Sequence, residues 1–332
     1  MLRPQLGRRA LPRIASRAAR NPRCRFSTQH GYEHELPPVR IVRPVLWSLA
    51  AVSTIYIACA AYEVKGDAKS FSTQHGWGTR RTLDSYDQLP KADHRGHRGR
   101  TLSQVSYGSP ADVLSLWKGL PEAEKMIVGN IALNSSIWLS QRLTSTHFSF
   151  FHHVPVVGRN YTMLTSVFGH ASGLHLFFNM ACLYNFGGDV AYSRTFEGSG
   201  SHLAAFYLSS GVVTSLAQHL ETVFPRRRFG ASLGASGAIM AFIGVFGMSN
   251  PDSRIGIILL PGSLPAQEAL GWIAAFEAYG MVFGIPFLRW AHTAHLAGLA
   301  VGAAYVHFDG KNHLWKPARK FAFSLLQKLN LI

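Results

Sequence analysis

The chain has 332 residues, of which 47% are hydrophobic and only 15% are charged, whereas about 25% of the residues in a typical soluble domain carry a charge. These proportions indicate a membrane protein. The net charge of +16 resides in the N-terminal tail and the loops, without aromatic residues interleaved on one basic surface, which argues against nucleic-acid binding. Three widely separated cysteines predict neither a disulfide framework nor a metal site. No HExxH string is present, so zinc catalysis has no support. We expect no cofactor and no metal.

The first 30 residues contain eight arginines and neither lysine nor an acidic residue. This composition is typical of a mitochondrial transit peptide, because a secretory signal would need a continuous apolar stretch of its own. We therefore predict a transit peptide over residues 1–30, followed by a basic matrix segment over residues 31–43. A basic disordered tail beside a membrane is the alternative interpretation of the same residues.

Apolar stretches dominate the rest of the chain. The leading one, at residues 44–62, is long enough to cross a bilayer, which takes about 20 residues. A polar loop at residues 63–125, with one short helix near residues 111–119, separates it from a predicted six-helix core at residues 126–307. The core spans are predicted at 126–143, 174–192, 202–224, 235–248, 266–284 and 292–307, with a short interfacial connector at 257–261 and a basic C-terminal tail at 308–332. The predicted fold class is an all-α polytopic membrane protein with one extra transmembrane helix ahead of six (1+6).

Ser236 and His295 each lie at the N-terminal end of a predicted span. A serine hydroxyl is a weak nucleophile and needs a base within hydrogen-bond reach to accept its proton. His295 can supply that base, and an ionisable residue inside a membrane is costly unless it has a partner. The two residues together predict a nucleophile and a general base within the bilayer, and a histidine that only packs against a neighbouring helix is the alternative.

Glycines follow both residues at helical spacing. Gly298 and Gly302 lie three and seven residues after the histidine, and Gly244 and Gly247 lie eight and eleven residues after Ser236, so each set shares a helix face with its polar residue. Small residues let helix backbones approach closely. We therefore predict contact between these two helices, although the same small-xxx-small pattern is common in membrane helices generally.

Peptide hydrolysis passes through a tetrahedral intermediate whose oxyanion needs hydrogen-bond donors already in place. The backbone N–H of Ser236 is one candidate, because it lies near a helix N-terminus. His175 and Asn179 are four residues apart, so they share one helix face and offer two side-chain donors. We assign Gly234 to the same oxyanion site. Polar side chains that only hydrogen-bond to neighbouring helices are the alternative.

Four separate motifs resemble those of one protein family, in the same order. They are His170 just before a helix, His175 and Asn179 in a His-Leu-x-x-Asn-Met setting, Ser236 in Gly-Ala-Ser-Gly, and His295 in Ala-His-Leu-Ala-Gly. On these residues the chain resembles the rhomboid intramembrane serine proteases, and specifically their mitochondrial inner-membrane, presenilin-associated-rhomboid-like branch. The resemblance covers residues 126–307.

The resemblance implies a six-helix core, a serine–histidine dyad without a third acid, and a multi-pass location in the inner mitochondrial membrane. It implies that the substrates are single-span membrane proteins whose helix contains helix-destabilising residues and which reach the site through the lipid bilayer. For fungal-type members it also implies processing of a dynamin-like GTPase and of cytochrome c peroxidase. His170, Gly298 and Gly302 are expected to support the site.

Two features depart from the family pattern. The Trp-Arg pair that many bacterial rhomboids carry in the first core loop is missing between residues 141 and 161. Glu277 lies inside the fifth core span, where a dyad gives it no role as a triad acid. We interpret it as a polar residue that hydrogen-bonds to a neighbouring helix, with a role in water access as the alternative.

Three other functions are weighed against proteolysis. An inactive rhomboid-like protein that binds membrane helices is the main alternative, although such a protein normally lacks the serine or the histidine. A transporter would show repeated halves and intramembrane charges for ions, and the sequence has few such charges and no repeat of halves. An aspartyl protease would need a second acid opposite Asp189, and no partner segment exists for it.

Basic residues predict the orientation in the membrane. If the arginine-rich N-terminus stays in the matrix, the loops after the first, third and fifth core spans lie on the matrix side. These loops carry arginines and almost no acidic residues, as the positive-inside rule expects. The opening above Ser236 is then predicted to face the matrix, and the basic C-terminal tail falls on the opposite side, against the rule.

Overall fold

A computed structural model describes residues 38–74, 83–89, 110–144, 149–223, 230–256, 262–286 and 290–332 of the chain. These residues belong to one compact unit that begins at Pro38. The predicted transit peptide at residues 1–30 and the predicted connector at residues 257–261 lie outside the described residues, as does part of the predicted polar loop.

Helices make up most of the described chain. Short 3₁₀ turns at Tyr86–Gln88, Pro155–Val157 and Ser166–Phe168 and a π-helical turn at Lys311–Trp315 lie between or beside them. In chain order the helices are α1 (Val42–Gln74), α2 (Pro110–Gly119), α3 (Glu122–Leu143), α4 (Thr162–Thr165), α5 (Gly173–Ala191), α6 (Gly200–Glu221), α7 (Ser236–Ser249), α8 (Ala266–Phe283), α9 (His292–His307) and α10 (Lys316–Lys328).

The predicted apolar stretches correspond to helices. The six predicted core spans coincide with α3 and α5 to α9, and the short helix predicted near residues 111–119 is α2. By length and composition, the stretch Val42–Ser72 in α1, which contains an 18-residue segment with a mean hydropathy of 1.7, is the one membrane-span candidate in the described part of the chain. Ser236–Ser249 is apolar but shorter. One clear apolar helix therefore precedes the core.

The leading helix is longer than the predicted 44–62. It runs on to Gln74, through residues that were expected to begin the polar loop. Acidic side chains in this extension have a basic partner, because the guanidinium of Arg319 in α10 lies 2.5 Å from the Asp67 carboxylate and 3.5 Å from that of Glu63. The helix continues past the apolar stretch because packing against α10 stabilises its polar part.

The segment at residues 308–332 is more than the basic tail that its composition predicts, since it contains α10. Ala322, Phe323 and Leu326 are buried and lie on one face of the helix at helical spacing. Just before α10, Trp315 stacks on His202 of α6 with ring centroids 4.6 Å apart. The prediction missed this helix because its apolar stripe is short and is flanked by basic residues.

The all-α prediction also misses one small ribbon. Strands β1 (Arg254–Ile255) and β2 (Leu264–Pro265) pair antiparallel, with Arg254 opposite Pro265 and Ile255 opposite Leu264. The Arg254 side chain donates from Nε to the hydroxyl of Ser263 at 2.8 Å. Strands of two residues are too short to show the alternation by which a strand is predicted.

Helices α7 and α9 pack backbone against backbone. A Cβ atom added at Gly244 would lie 2.5 Å from the carbonyl oxygen of Leu299, and Cβ atoms added at Gly298 and Gly302 would overlap the carbonyl oxygens of Gly237 and Ala241. The predicted contact between the two glycine stripes is therefore present, with one difference. Gly247 faces Leu270 of α8 rather than α9.

The helices α1, α6, α7 and α9 define two ends of the bundle. At one end the ring of His219, near the end of α6, donates from Nε2 to the carbonyl oxygen of Arg40, just before α1, at 2.8 Å. Helices α7 and α9 both begin at this end. At the other end Tyr305, near the end of α9, lies 2.7 Å from Nε2 of His202, near the start of α6. The N-terminus of α1 thus shares an end with Ser236 and His295.

Candidate active site

Ser236 and His295 meet at the N-terminal ends of α7 and α9. The serine Oγ lies 2.8 Å from Nε2 of the histidine, within the range of a normal O–H···N hydrogen bond. The histidine is 7% exposed, and the serine is partly exposed. A hydroxyl that donates to Nε2 requires this nitrogen to be unprotonated, so the neutral ring carries its hydrogen on Nδ1. This is the protonation state of a base that is ready to accept the serine proton.

The close approach of the two helices explains why these side chains meet. Gly298 lies one turn after His295 and packs on the carbonyl oxygen of Gly237, the residue that follows Ser236. Thr214 of α6 lies against the other side of Gly237, where an added Cβ atom would also collide. The backbone beneath the pair is therefore held from two directions, which fixes where both side chains project.

The His175 side chain of α5 comes next to the loop before the serine. Its Nδ1 accepts a hydrogen bond from the N–H of Ala171 at 3.4 Å, which leaves the ring hydrogen on Nε2. This Nε2 atom would lie 3.0 Å from a Cβ atom built on Gly234. Asn179, one turn further along α5, is buried and donates from Nδ2 to the carbonyl oxygen of His175 at 2.8 Å, and its amide has a second hydrogen to donate.

Gly234 has a φ of 124°, a conformation that residues other than glycine rarely adopt. Its N–H donates to the carbonyl oxygen of Ser166 at 2.9 Å. The amide assigned from the sequence to the oxyanion site is therefore used within the protein, and the residue contributes a backbone conformation instead. The sequence gives no signal for this, because the amide direction depends on the fold of two distant loops.

His170 is buried, and its ring meets that of His175 edge-on at a centroid distance of 5.1 Å. Burial, followed by the neighbouring His175 ring, lowers the pKa of His170 to about 4. The ring is thus neutral at neutral pH and packs against His175 without charge repulsion. The supporting role of His170 stays a prediction, and this contact places its ring against His175.

A further pair of histidines holds the first core loop near the site. His153 exchanges two backbone hydrogen bonds with Ser232, two residues before Gly234. Its Nδ1 lies 2.8 Å from the hydroxyl of Thr162, and its Nε2 lies 2.8 Å from Nδ1 of His219. Through His219 this loop connects to the start of α1. The sequence of this loop lacks the Trp-Arg pair and contains no pattern that would identify these partners.

Glu277 of α8 also reaches the site. Its carboxylate accepts a hydrogen bond from Nδ1 of His295 at 2.9 Å and another from Nδ1 of His292 at 2.5 Å. The predicted hydrogen bond to a neighbouring helix is therefore present, and its partner is His295 itself, which no pattern in the sequence indicates. Among the described residues, no group of three or more His, Cys, Asp or Glu side chains is arranged to hold a metal ion.

The chain is similar to known proteins of one family. Residues 157–312 match the Rhomboid domain. Over 205 residues, the chain is 32% identical to presenilin-associated rhomboid-like protein A, mitochondrial, of Danio rerio. Over the same length it is 33% identical to presenilin-associated rhomboid-like protein, mitochondrial, of Homo sapiens. Each alignment covers 60% of this chain, and they cover 51% and 52% of the two relatives. It is 31% identical to rhomboid protein 1, mitochondrial, of Saccharomyces cerevisiae over 154 residues, 45% of this chain and 42% of that protein.

The chain spans about half the length of the curated relatives it matches. These relatives are named as mitochondrial proteins, and a rhomboid domain is embedded in a membrane. The predicted location in a mitochondrial membrane is therefore confirmed, and the inner membrane is consistent with it. The resemblance drawn from the four motifs is confirmed as well, because residues 157–312 match the Rhomboid domain and these relatives are mitochondrial rhomboid proteins.

Proposed function

We propose that this protein is an intramembrane serine endopeptidase of the inner mitochondrial membrane that cleaves the transmembrane helices of single-span proteins. The observation that carries the proposal is the 2.8 Å hydrogen bond between the Ser236 hydroxyl and Nε2 of His295. The two residues are 59 positions apart in the sequence, and His295 is the motif histidine that contacts the Ser236 hydroxyl, as a general base must contact its nucleophile.

The reaction follows from the protonation state of the pair. His295 accepts the Ser236 proton at Nε2 while Oγ bonds to the substrate carbonyl carbon, and a tetrahedral intermediate forms. His295 then gives this proton to the leaving amine as the C–N bond breaks, which leaves an acyl ester on the serine. Water, deprotonated by the same histidine, hydrolyses the ester and restores the hydroxyl.

Three donors surround the position of the oxyanion in this proposal. They are the backbone N–H of Ser236 at the start of α7, the Nε2–H of His175 and the second Nδ2 hydrogen of Asn179. Helix N-termini favour negative charge because their first N–H groups have no partner in the helix. A half-buried site strengthens such interactions, since water competes less for each donor.

The topology in this proposal has α1 as the leading span and α3 with α5 to α9 as the six core spans. We place the opening above Ser236 in the matrix, on the side of the arginine-rich N-terminus. The hydrogen bond between His219 and the Arg40 carbonyl supports this orientation, because it puts the start of α1 at the end of the bundle that holds Ser236. The basic residues of α10 then lie on the opposite side.

The substrates that the family resemblance implies are a dynamin-like GTPase and cytochrome c peroxidase, each cut within a single membrane helix. A rhomboid-like protein that holds membrane helices without cutting them is the second candidate function. The presence of both Ser236 and His295, in hydrogen-bond contact, favours cleavage over holding.

Comparison of mitochondrial membrane proteomes tests this proposal. Cells with the Ser236→Ala variant should accumulate uncut precursors of single-span proteins, whose shorter forms are present in wild-type cells. Ser249→Ala, the same substitution at the other end of α7, is the matched control and should leave processing unchanged. Identical processing in cells with Ser236→Ala and in wild-type cells would reject the endopeptidase and favour the helix-holding protein.

A further inference from the structure

Glu277 is a buried carboxylate that joins the site through two histidines. It is 1% exposed, and each of its oxygens accepts one hydrogen bond, Oε1 from His295 and Oε2 from His292. A buried carboxylate is costly unless charged or polar partners satisfy it. Packing of α8 does not by itself explain a buried acidic residue at this position.

One assignment of the hydrogen atoms satisfies every hydrogen bond from Ser236 through His295 to Glu277. The Ser236 hydroxyl donates to Nε2 of His295, so the histidine hydrogen lies on Nδ1 and donates to Glu277. An ionised carboxylate only accepts hydrogen bonds, which matches its position between two ring N–H groups. In this arrangement a carboxylate holds the tautomer of His295 that leaves Nε2 free for the serine proton.

The packing of α8 against α9 leaves space for the ring of His292. His292 and His295 are three residues apart and share a face of α9, and Glu277 and Gly280 share a face of α8 in the same way. A Cβ atom at Gly280 would lie 2.5 Å from both Cε1 and Nδ1 of His292. The glycine leaves room for the His292 ring, and this ring fixes the second oxygen of the carboxylate.

We infer that Glu277, held by His292, is a positioning residue for the reaction, which fixes the orientation and tautomer of His295 and stabilises the imidazolium that forms when Ser236 gives up its proton. The inference rests on the proposed endopeptidase function and replaces the dyad implied by the family resemblance with a Ser236–His295–Glu277 triad. The proton moves from Oγ of the serine to Nε2 of the histidine and then to the leaving amine. Glu277 stays ionised throughout.

The kinetic test uses the full-length protein in liposomes with a fluorescent reporter helix. Glu277→Gln keeps the size of the side chain and removes its charge. We expect kcat to fall at least tenfold, and up to about 10⁴-fold as in other triads that lose their carboxylate, while KM changes little because the substrate does not touch this residue. Glu268→Gln, the same change at an exposed position of α8, is the control and should match the wild type.

A purely structural role for Glu277 predicts a different pattern. Glutamine can still hydrogen-bond to both histidines, with its oxygen accepting from Nδ1 of His295 and its amide donating to Nδ1 of His292 once that ring carries its hydrogen on Nε2. A residue that only joins helices would therefore keep kcat, or would lower activity only in step with a lower melting temperature. Thermal unfolding is therefore measured for each variant. A second variant, Gly280→Ala, pushes the His292 ring without touching Glu277 and should also lower kcat, whereas Gly271→Ala, where an added Cβ meets nothing within 4 Å, should not.

A spectroscopic readout separates this inference from the proteolysis it rests on. In protein with ¹⁵N-labelled histidine, the Nδ1-bound proton of His295, assigned by its absence in His295→Ala, should appear at low field and shift upfield in Glu277→Gln. If the wild-type protein cleaves nothing but this shift occurs, the endopeptidase proposal fails, and only the effect of Glu277 on the orientation and tautomer of His295 stands. A Glu277→Gln variant with wild-type kcat and an unshifted His295 resonance would overturn the positioning role.

Discussion

Gly298 of α9 lies against the carbonyl oxygen of Gly237 in α7. Gly237 directly follows Ser236, and Gly298 lies three residues after His295. No side chain fits between these two backbones. The contact sets the distance between the helices at the level of the site, and the hydrogen bond between Ser236 and His295 depends on it. Backbone contacts of this kind are the usual way in which membrane helices come together, because lipid offers no hydrophobic drive for packing.

Enlarging Gly298 should therefore separate the pair. We expect Gly298→Ala and Gly302→Ala each to destabilise the protein by about 1–3 kcal/mol, the usual cost of overpacking a tight core, and to slow cleavage of a reporter helix. Thermal unfolding in detergent and the initial rate of cleavage measure the two effects. Gly188→Ala in α5, where an added Cβ atom meets nothing within 4 Å, is the control, and equal melting temperatures for all three variants would contradict the packing account.

Gly234→Ala should damage the site more than its local strain explains. The residue combines a positive φ with contact to the His175 ring, so a methyl group would both strain the backbone and displace a donor of the oxyanion. Gly262 also has a positive φ, of 106°, but open space around it. We expect Gly234→Ala to lower kcat by at least tenfold and Gly262→Ala to leave it near the wild-type value. Equal effects of the two substitutions would mean that backbone strain alone is responsible.

Asn179→Ala should weaken the reaction without removing it. Loss of one oxyanion donor elsewhere costs about 10²–10³ in kcat, and we expect a loss of one to three orders of magnitude here with little change in KM. Asn250→Ala, at the far end of α7, serves as the control for an asparagine substitution. An Asn179→Ala enzyme with full kcat would show that this amide only joins its own helix, through its bond to the His175 carbonyl.

The contact between α10 and α1 should contribute to stability and not to chemistry. Arg319 pairs with Asp67 and Glu63, and hydrogen bonds to charged groups contribute about 1.5–3 kcal/mol when partly buried. We expect Arg319→Gln to lower the free energy of unfolding by about 1–3 kcal/mol while kcat stays at the wild-type value. Lys328→Gln, which removes the same charge from an exposed position of α10, should leave stability nearly unchanged. A loss of kcat without a loss of stability in Arg319→Gln would contradict this assignment.

Sequence reasoning reaches the helices and the Ser236–His295 pair for physical reasons. Apolar stretches of fixed length predict spans, and glycines at helical spacing predict which helix faces touch. The partner of Glu277 could not be predicted in the same way, because it depends on the rotation of α8 about its own axis. Helix α8 is almost uniformly apolar, so its sequence does not indicate which face points toward the site. The direction of the Gly234 amide depends on two loops that are distant in sequence. Helix α10 was not predicted because its apolar stripe is short and flanked by basic residues, and because it is stabilised by contact with α1.

Cleavage of a reporter helix by the purified protein in liposomes tests the central claim most directly. The wild-type protein and Ser249→Ala should release the product, whereas Ser236→Ala and His295→Ala should each lose activity by at least about 10³-fold and retain the wild-type melting temperature. A folded Ser236→Ala protein that cleaves the reporter at the wild-type rate would contradict the account.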